Sequence, residues 1–448
     1  MRTIINTLTP KPGVSWRLLL VALSAFGLLA TACADEPRDS LGDGSLGTVE
    51  VAAGESIQIR SVYTNGGDLM LFGNSAERAI VFAVEDYGRI HGFAVNLGVG
   101  LDDMCSPEGG MITGSMVVAE GDVVGVVGTN CSAAAAHASP LITRAGMVLI
   151  SPSNTAPSLT SDLAGNEGAS HFAGYYRTAH NDLVQGESVA HFLSGEGVTS
   201  AAVVHDGGPY TLGLATAFSD AFAEHGGAIT GTWEVDREDE DLVPVLTEIA
   251  AGDPDALFFP IFWPTGRYLV EQAAEMPEFS DMVFSTADGL LNDNFLSLPQ
   301  GEGTYVSGPD TRFGNNTNQT TGQSAPSLRA RFEETAGGSP TGTFWGHAYD
   351  ATVLLLNAIS AASYVRSDDG VLVIDRAGVR EYLDNLSGFQ GVTGVLSCDE
   401  FGDCGGAGVV IYEHLDSTDV DATRQNVVYE VGPDDRRARA SLTGHEEA

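Results

Sequence analysis

Short apolar runs alternate with longer amphipathic segments along the chain from residue 56 onward. Runs that are apolar at nearly every position are typical of parallel strands buried on both faces of a sheet. The pattern predicts eight strands, at Ile57–Tyr63, Phe93–Leu97, Val123–Val127, Met147–Ile150, Ala201–Val204, Ala228–Val235, Ala256–Phe262 and Met282–Ser285.

The segments between and after these runs have helical periodicity. They predict helices over residues 74–87, 112–119, 132–145, 181–195, 211–225, 241–251, 266–275, 346–363 and 376–386. Asn74 and Glu77 have the spacing of a capping box, which places the start of the first helix at Asn74. The alternation of strand and helix predicts an α/β fold with doubly wound sheets. The chain has more strand–helix units than a single sheet usually contains, which predicts two α/β lobes.

Two loops at predicted strand ends carry polar groups suited to an anion. Ser132 begins a predicted helix, where free backbone N–H groups and the helix dipole attract negative charge. Residues 151–157 follow the next strand and offer hydroxyls and backbone donors. Ligands of doubly wound folds bind at the carboxyl ends of strands, so the two loops would form a carboxylate site if they face one cleft. In the alternative interpretation Ser132 only caps its helix and 151–157 is only a turn.

Composition indicates a folded chain and excludes several classes of function. The chain has 448 residues, of which 43% are hydrophobic and 18% charged, enough for about two or three domains. The formal net charge is −39, and Lys11 is the single lysine. Without further lysine there is no Walker phosphate loop, pyridoxal Schiff base or catalytic lysine. Strong negative charge disfavours nucleic acid and anionic lipid surfaces as partners.

The N-terminus has the pattern of an export signal. Basic residues precede the apolar run Leu18–Ala32, which is shorter than the roughly 20 residues of a membrane-spanning helix. We expect residues 1–32 to be a signal peptide and Cys33 to be the lipidated first residue of the mature chain, as in bacterial lipoproteins. Ala30 stands where a lipobox has leucine, so ordinary secretion is the alternative. Residues 33–55 are interpreted as a flexible tether.

The cysteine count fits an oxidising compartment. Lipidation of Cys33 leaves Cys105, Cys131, Cys398 and Cys404, an even number that allows three pairings. We predict the nearest-neighbour pairs, Cys105–Cys131 and Cys398–Cys404. Metal binding is the alternative for the second pair, but it has no ligand cluster beside it. Asp102 and Asp103 resemble a calcium pair without the rest of an EF-hand loop, so we predict that they structure a loop.

An ordered set of motifs resembles the periplasmic branched-chain amino-acid binding proteins, which are type I solute-binding proteins of ABC transporters. The resemblance covers roughly residues 56–430. Its strongest parts are Gly128-x-x-Cys131-Ser132 and Ile150-Ser151-Pro152-Ser153-x-Thr155-Ala156-Pro157, followed by Tyr175-Tyr176-Arg177-Thr178, His205-Asp206-x-x-x-Tyr210 and Ala287-Asp288-Gly289. The resemblance implies two Rossmann-like lobes joined by a three-stranded hinge. It places lobe 1 at 56–176 plus 308–387, lobe 2 at 177–307 plus 388–432, and a mobile tail at 433–448.

The resemblance also implies a role for individual residues. Ser132 and Thr155 fall where the family binds the ligand α-carboxylate, and Ser153 falls where a backbone carbonyl accepts from the α-ammonium. Tyr210 falls where a tyrosine of the second lobe covers the ligand. Asp288 falls where the family has a glutamate paired with the ammonium, and it is one methylene shorter. The pocket-wall positions are held by Phe72, Phe262 and Trp263.

Each of these residues also has a purely structural interpretation. Tyr210 could be a surface turn residue, and Asp288 before Gly289 could be a turn aspartate. The three aromatic residues of the pocket wall could be core packing. The implied chemistry is nevertheless coherent, because a buried zwitterion needs donors for its carboxylate and a carboxylate for its ammonium.

The sequence therefore predicts an extracytoplasmic, membrane-anchored binding protein rather than an enzyme. It has no Gly-x-Ser-x-Gly elbow and no His-Glu-x-x-His motif. We expect a branched-chain or other apolar amino acid as ligand, an ABC permease as partner, and no cofactor, metal or nucleic acid. The alternatives are a ligand-sensing receptor domain of the same fold, or a binder of another small carboxylate or amide such as urea.

Overall fold

A computed structural model describes residues 41–405 and 408–430. The predicted signal peptide, Cys33 and the predicted tail 433–448 lie outside the described residues. Within them the strands are β1 (Thr48–Val51), β2 (Ser56–Val62), β3 (Ala94–Asn96), β4 (Val123–Gly128), β5 (Val148–Ser151), β6 (Tyr175–Arg177), β7 (Ser200–His205), β8 (Ala228–Glu234), β9 (Ala256–Phe258), β10 (Val283–Thr286), β11 (Tyr305–Pro309), β12 (Ser363–Val365), β13 (Leu372–Asp375), β14 (Phe389–Gly391), β15 (Gly394–Leu396), β16 (Val409–Glu413) and β17 (Val427–Glu430).

The helices lie between these strands and cover them. They are α1 (Met70–Tyr87), α2 (Pro107–Glu120), α3 (Ser132–Arg144), α4 (Asp182–Gly195), α5 (Pro209–Glu224), α6 (Val243–Ala251), α7 (Thr265–Ala273), α8 (Asp293–Leu296), α9 (Ala325–Ala336), α10 (Trp345–Ala361), α11 (Arg376–Asp384) and α12 (Val420–Gln425). In the described part of the chain, none of them is long and apolar enough to cross a membrane.

Two sheets define two lobes and confirm the predicted α/β class. Lobe 1 has a five-stranded parallel sheet in the order β3-β2-β4-β5-β6. Lobe 2 has a seven-stranded sheet in the order β17-β16-β11-β10-β9-β7-β8, parallel from β8 to β11. Strand order reverses between β2 and β4 in lobe 1 and between β7 and β9 in lobe 2. Such switch points are where doubly wound folds bind ligands.

The chain passes between the lobes at three places that lie side by side. The first follows β6, the second follows β11, and the third runs between Cys404 and β16. The backbone N–H of Arg177 donates to Gly402 O, and that of Cys404 donates to Arg177 O, both at 2.9 Å. The N–H of Asp310 donates to Gly408 O, also at 2.9 Å. These hydrogen bonds join the three crossings into one hinge.

Two boundaries inferred from the sequence need correction. Part of the predicted tether 33–55 is ordered, because β1 pairs with β13 antiparallel and buries Val49 and Val51 in the core of lobe 1. The segment 388–404 was assigned to lobe 2, but Phe389 and Leu396 pack in the hydrophobic core of lobe 1. We therefore place the third crossing after Cys404, and the division of the chain into lobes remains a proposal at its other boundaries.

The predicted start of the first helix is wrong by one turn. Helix α1 begins at Met70 after a 3-10 turn, so Asn74 lies inside it rather than at its N-cap. The capping box was therefore a coincidence of spacing. Both predicted disulfides, Cys105–Cys131 and Cys398–Cys404, are confirmed.

Candidate functional site

A cavity between the lobes gathers six of the eight residues predicted to bind ligand. It measures about 20 Å³, room for roughly one water molecule. It is lined by Phe72, Asn130, Cys131, Ser132, Ser153, Tyr210, Phe262, Asp288 and Phe344. The lining residues of lobe 1 include segments that come after strands β2, β4 and β5, and those of lobe 2 come after strands β7, β9 and β10. The two switch points therefore face each other, with the lobes closed on the cleft.

The two polar loops of lobe 1 are tied together as one surface. Ser132 is the first residue of α3 and makes no capping bond there; its Oγ instead accepts from the N–H of Ala156 at 3.4 Å. The Ser153 hydroxyl donates to the carbonyl of Asn130 at 3.0 Å. The helix-capping interpretation of Ser132 is thus replaced by a link between the loops. Together they present hydroxyls and backbone groups to the cleft.

Asp103 shapes the same surface from beneath. This fully buried carboxylate accepts from the Thr64 hydroxyl at 2.6 Å, the Cys105 N–H at 2.9 Å and the Asn130 N–H at 2.7 Å. The prediction that Asp102–Asp103 structures a loop is thus supported for Asp103. Among the described residues, no group of three or more His, Cys, Asp or Glu side chains could hold a metal ion.

Asp288 is the acidic centre of the lobe 2 side. It lies in a short 3-10 turn, only 4% exposed, and its Oδ1 accepts from Tyr210 Oη at 3.1 Å and from Gln185 Nε2 at 2.9 Å. Burial raises the pKa of Asp288 to about 6. Tyr210 is buried as well, and its burial together with the nearby charge of Asp288 raises the pKa of the Tyr210 hydroxyl well above its usual value. Tyr210 is therefore not a surface turn residue, whereas Asp288 does lie in a turn but is buried at the cavity.

Thr155 lies one layer behind the cavity, next to a second buried carboxylate. Its carbonyl accepts from the backbone N–H of Asp182 at 2.9 Å. Burial and the charge of Asp288 raise the pKa of Asp182 well above its usual range. The Thr155 side chain interacts with the Asp182 carboxylate, and this interaction and the charge of Arg177 both act to lower the pKa of Asp182. Asp182 thus lies behind the cavity, near Asp288, and its raised pKa favours the protonated, neutral form.

Aromatic rings close the cleft from both lobes. Phe72 of lobe 1 meets Phe262 of lobe 2 edge-on, with ring centroids 6.2 Å apart. The rings of Tyr210 and Phe262 also pack against each other, with their centroids 5.2 Å apart. Trp263, predicted in the same wall, packs half-buried against the core of lobe 2 instead of lining this cavity. The wall is apolar and fits closely, so it would select an apolar group by shape.

Sequence reasoning missed four residues of this site. Asn130 and Phe344 line the cavity, Gln185 holds Asp288, and Asp182 adds the second charge. Asn130 lies in the loop between β4 and α3, next to Ser132, so its position after the end of a strand is a signal that could have identified it. Asp182 and Gln185 lie one turn apart at the start of a correctly predicted helix. Their burial beside Asp288 depends on how α4 packs, which local pattern does not report.

A family model described as a periplasmic binding protein matches residues 56–402, more than half of the chain. An amino acid binding protein of Pseudomonas aeruginosa is 28% identical over 246 residues, covering 54% of this chain and 63% of that protein. The chain therefore spans a little less than two thirds of that relative. The leucine-, isoleucine-, valine-, threonine- and alanine-binding protein of the same organism is 25% identical over 375 residues, covering 82% of this chain and 92% of that protein.

Solved structures share the fold. A leucine binding protein of Thermotoga maritima superimposes with a TM-score of 0.71 at 21% identity, covering 85% of this chain and 99% of that one.

Proposed function

This chain belongs to the periplasmic binding protein family, in its branched-chain amino-acid binding group, and on that premise we propose that it captures a small apolar amino acid between its lobes. Members of this family are substrate-binding proteins, which confirms the prediction that the chain is not an enzyme. The chain is accordingly a solute-binding protein. The identity of the solute, the anchor and the delivery step are parts of the proposal.

The observation that carries the proposal is the pairing of opposite chemistries across one cavity. Lobe 1 offers the Ser132 hydroxyl and the N-terminus of α3, which suit a carboxylate. Lobe 2 offers the buried carboxylate of Asp288, which suits an ammonium. An α-amino acid carries both groups on one carbon, so it can satisfy both sides at once.

Asp182 supports an amine as the cationic end of the ligand. Ionisation of Asp182 is costly unless a counter-charge arrives, because this carboxyl group is buried near Asp288. An ammonium bound at Asp288 would also lie in the field of Asp182 and offset part of this cost. A neutral amide such as urea would leave both carboxylates uncompensated, so we favour the amino acid.

Ligand entry requires the lobes to separate. The cavity of about 20 Å³ is far below the 300 Å³ or more of typical ligand pockets. Opening at the hinge would move Phe72 away from Phe262, and closure on a ligand would exclude water and strengthen its polar contacts. Closure therefore provides a form that a membrane partner can distinguish from the open one.

We further propose that Cys33 is lipidated and that the closed form is delivered to an ABC permease at the outer face of the cytoplasmic membrane. The leader 1–32 and the two disulfides support an extracytoplasmic location. Mass spectrometry of the membrane fraction would test the anchor, since a diacylated Cys33 adds a defined mass. A mature chain that begins after residue 33, without lipid, would contradict it.

A ligand screen tests the central proposal. Thermal unfolding of the full chain would be followed with the twenty amino acids, γ-aminobutyrate, urea, acetamide and benzoate, each at millimolar concentration. A cognate ligand raises the unfolding temperature by mass action, and calorimetry then gives its affinity. We expect small or branched apolar amino acids to stabilise the protein and their deaminated acids to have no effect. Stabilisation by urea or benzoate alone would overturn the assignment to amino acids.

A further inference from the structure

Arg237 bridges the two lobes at the edge of the cleft. It lies in lobe 2, between β8 and α6, and its Nη1 donates to the backbone carbonyl of Cys105 in lobe 1 at 2.9 Å. The guanidinium also lies over the ring of Phe262, 4.2 Å from its centroid. A charged donor thus covers a wall residue of the binding cavity and contacts the opposite lobe at the same time.

The rest of Arg237 is fixed within lobe 2. Its Nε donates to Asp206 Oδ2 at 2.7 Å, and the Asp206 side chain is only 2% exposed. Its carbonyl accepts from the Thr265 hydroxyl at 2.8 Å. These contacts within lobe 2 do not involve lobe 1 and hold the guanidinium in one orientation, which limits the side-chain entropy lost when it contacts lobe 1.

The acceptor in lobe 1 is equally well fixed. Cys105 has φ of 48°, and Asp103 Oδ1 accepts from its N–H at 2.9 Å. The disulfide to Cys131 ties it to the residue directly before Ser132. The carbonyl that meets Arg237 is thus linked covalently to the loop proposed to bind the ligand carboxylate.

We propose that Arg237 is a clasp that stabilises the closed form, with the Cys105–Cys131 disulfide holding its acceptor in place. The clasp engages only when the lobes close, so it slows ligand release without contacting the ligand. The predicted effect on ligand release rests on the proposed function, because a release rate exists only for a bound solute. The predicted effect on the fraction of closed molecules does not depend on any ligand.

The experiment compares the wild type with Arg237→Gln and with Arg267→Gln as a matched control. Arg267 also lies in lobe 2, but its Nε pairs with Glu271 of the same helix at 2.9 Å. Both variants remove one positive charge, and only the first removes a bond between the lobes. Small-angle X-ray scattering of the ligand-free full chain reports lobe separation through the radius of gyration. Stopped-flow tryptophan fluorescence reports the dissociation rate of the amino acid found by the screen.

We expect Arg237→Gln to have a larger radius of gyration than the control and to release ligand about 10-fold faster, with an association rate within about 3-fold of wild type. The double variant Cys105→Ala/Cys131→Ala should reproduce the faster release, and adding Arg237→Gln to it should change the rate little, because the two act through one contact. A radius of gyration equal to that of Arg267→Gln would overturn the clasp. If no amino acid binds the wild type, the proposed function fails while scattering still decides the clasp.

Discussion

The Tyr210 hydroxyl connects Asp288 to the backbone that carries it. It donates to Asp288 Oδ1 at 3.1 Å and accepts from the N–H of Gly289 at 3.0 Å. Gln185 Nε2 donates to the same carboxylate oxygen at 2.9 Å. Both side-chain donors among the described residues bind Oδ1, which leaves Oδ2 for a ligand. The carboxylate is therefore oriented before the ligand arrives, and its orientation depends on two helices, α4 and α5.

Replacing Asp288 by Asn should abolish binding of zwitterionic amino acids while the fold is retained. The amide oxygen can still accept from Tyr210 and Gln185, so the variant loses mainly the charge. Loss of one partner of a buried charge pair weakens binding by about 100-fold or more. Calorimetric titration with the best ligand of the screen measures this, and the control is Asp281→Asn, at an exposed acidic residue that lies at the other end of β10 from Asp288. An unchanged affinity in Asp288→Asn would rule out the proposed amine contact.

Asp288 should also make folding stability depend on pH. Its pKa is raised from 3.8 to about 6 in the folded chain, so the folded state holds a proton that the unfolded state has released. Its contribution to stability is therefore full below pH 3.8 and is lost as pH rises through about 6. Between pH 5 and 7 the wild type should lose about 1 kcal/mol of unfolding free energy relative to Asp288→Asn. Urea titrations of both chains at the two pH values measure this difference, and parallel pH profiles would contradict it.

Asp182→Asn should stabilise the ligand-free protein and weaken ligand binding. Burial and the charge of Asp288 raise the pKa of Asp182, so folding disfavours its charged form. We expect the unfolding free energy to rise by about 1 kcal/mol at pH 7, since asparagine is neutral in both states and folding no longer has to protonate or desolvate a carboxylate. Affinity for an amine ligand should fall, because the field of Asp182 favours the ammonium. A variant that is less stable than wild type would show that Asp182 has a structural partner role instead.

Local sequence pattern predicted elements better than it predicted the contacts between them. The eight predicted strands correspond to β2–β5 and β7–β10. The inner ones, such as β4, β5 and β7, are apolar runs buried on both faces, which leave a strong local signal. Strands β1, β6, β14 and β15 have only three or four residues, and β17 is a partly exposed edge strand, so their local signal is weak. β1 pairs with β13, which is more than 300 residues away in the sequence, so the residues around position 48 do not by themselves predict a strand.

The candidate site divides in the same way. Ser132, Ser153 and Asp288 were predicted because they follow strands and match a family pattern, and the fold brings them to one cavity. Asp182 was missed because its importance comes from burial beside Asp288, which only the packing of α4 creates. Trp263 was predicted in the wall because it follows Phe262, yet the chain turns it toward the lobe 2 core. Adjacency in sequence did not report which face each ring would occupy.

The hinge provides a last prediction, centred on Arg177. This residue is fully buried, forms an ion pair with Asp403, and donates to the carbonyls of Asn154 and Ala156 at 3.2 and 2.9 Å. It thereby joins the first and third crossings to the loop proposed to bind the ligand. Arg177→Met leaves the Asp403 carboxylate without this partner and frees both carbonyls. We expect a loss of about 3–5 kcal/mol in unfolding free energy.

The matched control is Arg366→Met, which removes an arginine whose pairs with Glu50 and Asp369 lie at the surface. Exposed pairs contribute about 1 kcal/mol or less, so this variant should stay close to wild type. Urea unfolding of the three chains at pH 7 compares them. Equal losses in both variants would mean that the buried pair contributes no more than a surface pair. A large loss confined to Arg177→Met would show that the hinge is held by a charge network at its centre. In that case a partial rescue by Arg177→Lys would separate the role of the charge from that of the guanidinium geometry, since lysine can pair with Asp403 without reaching both carbonyls.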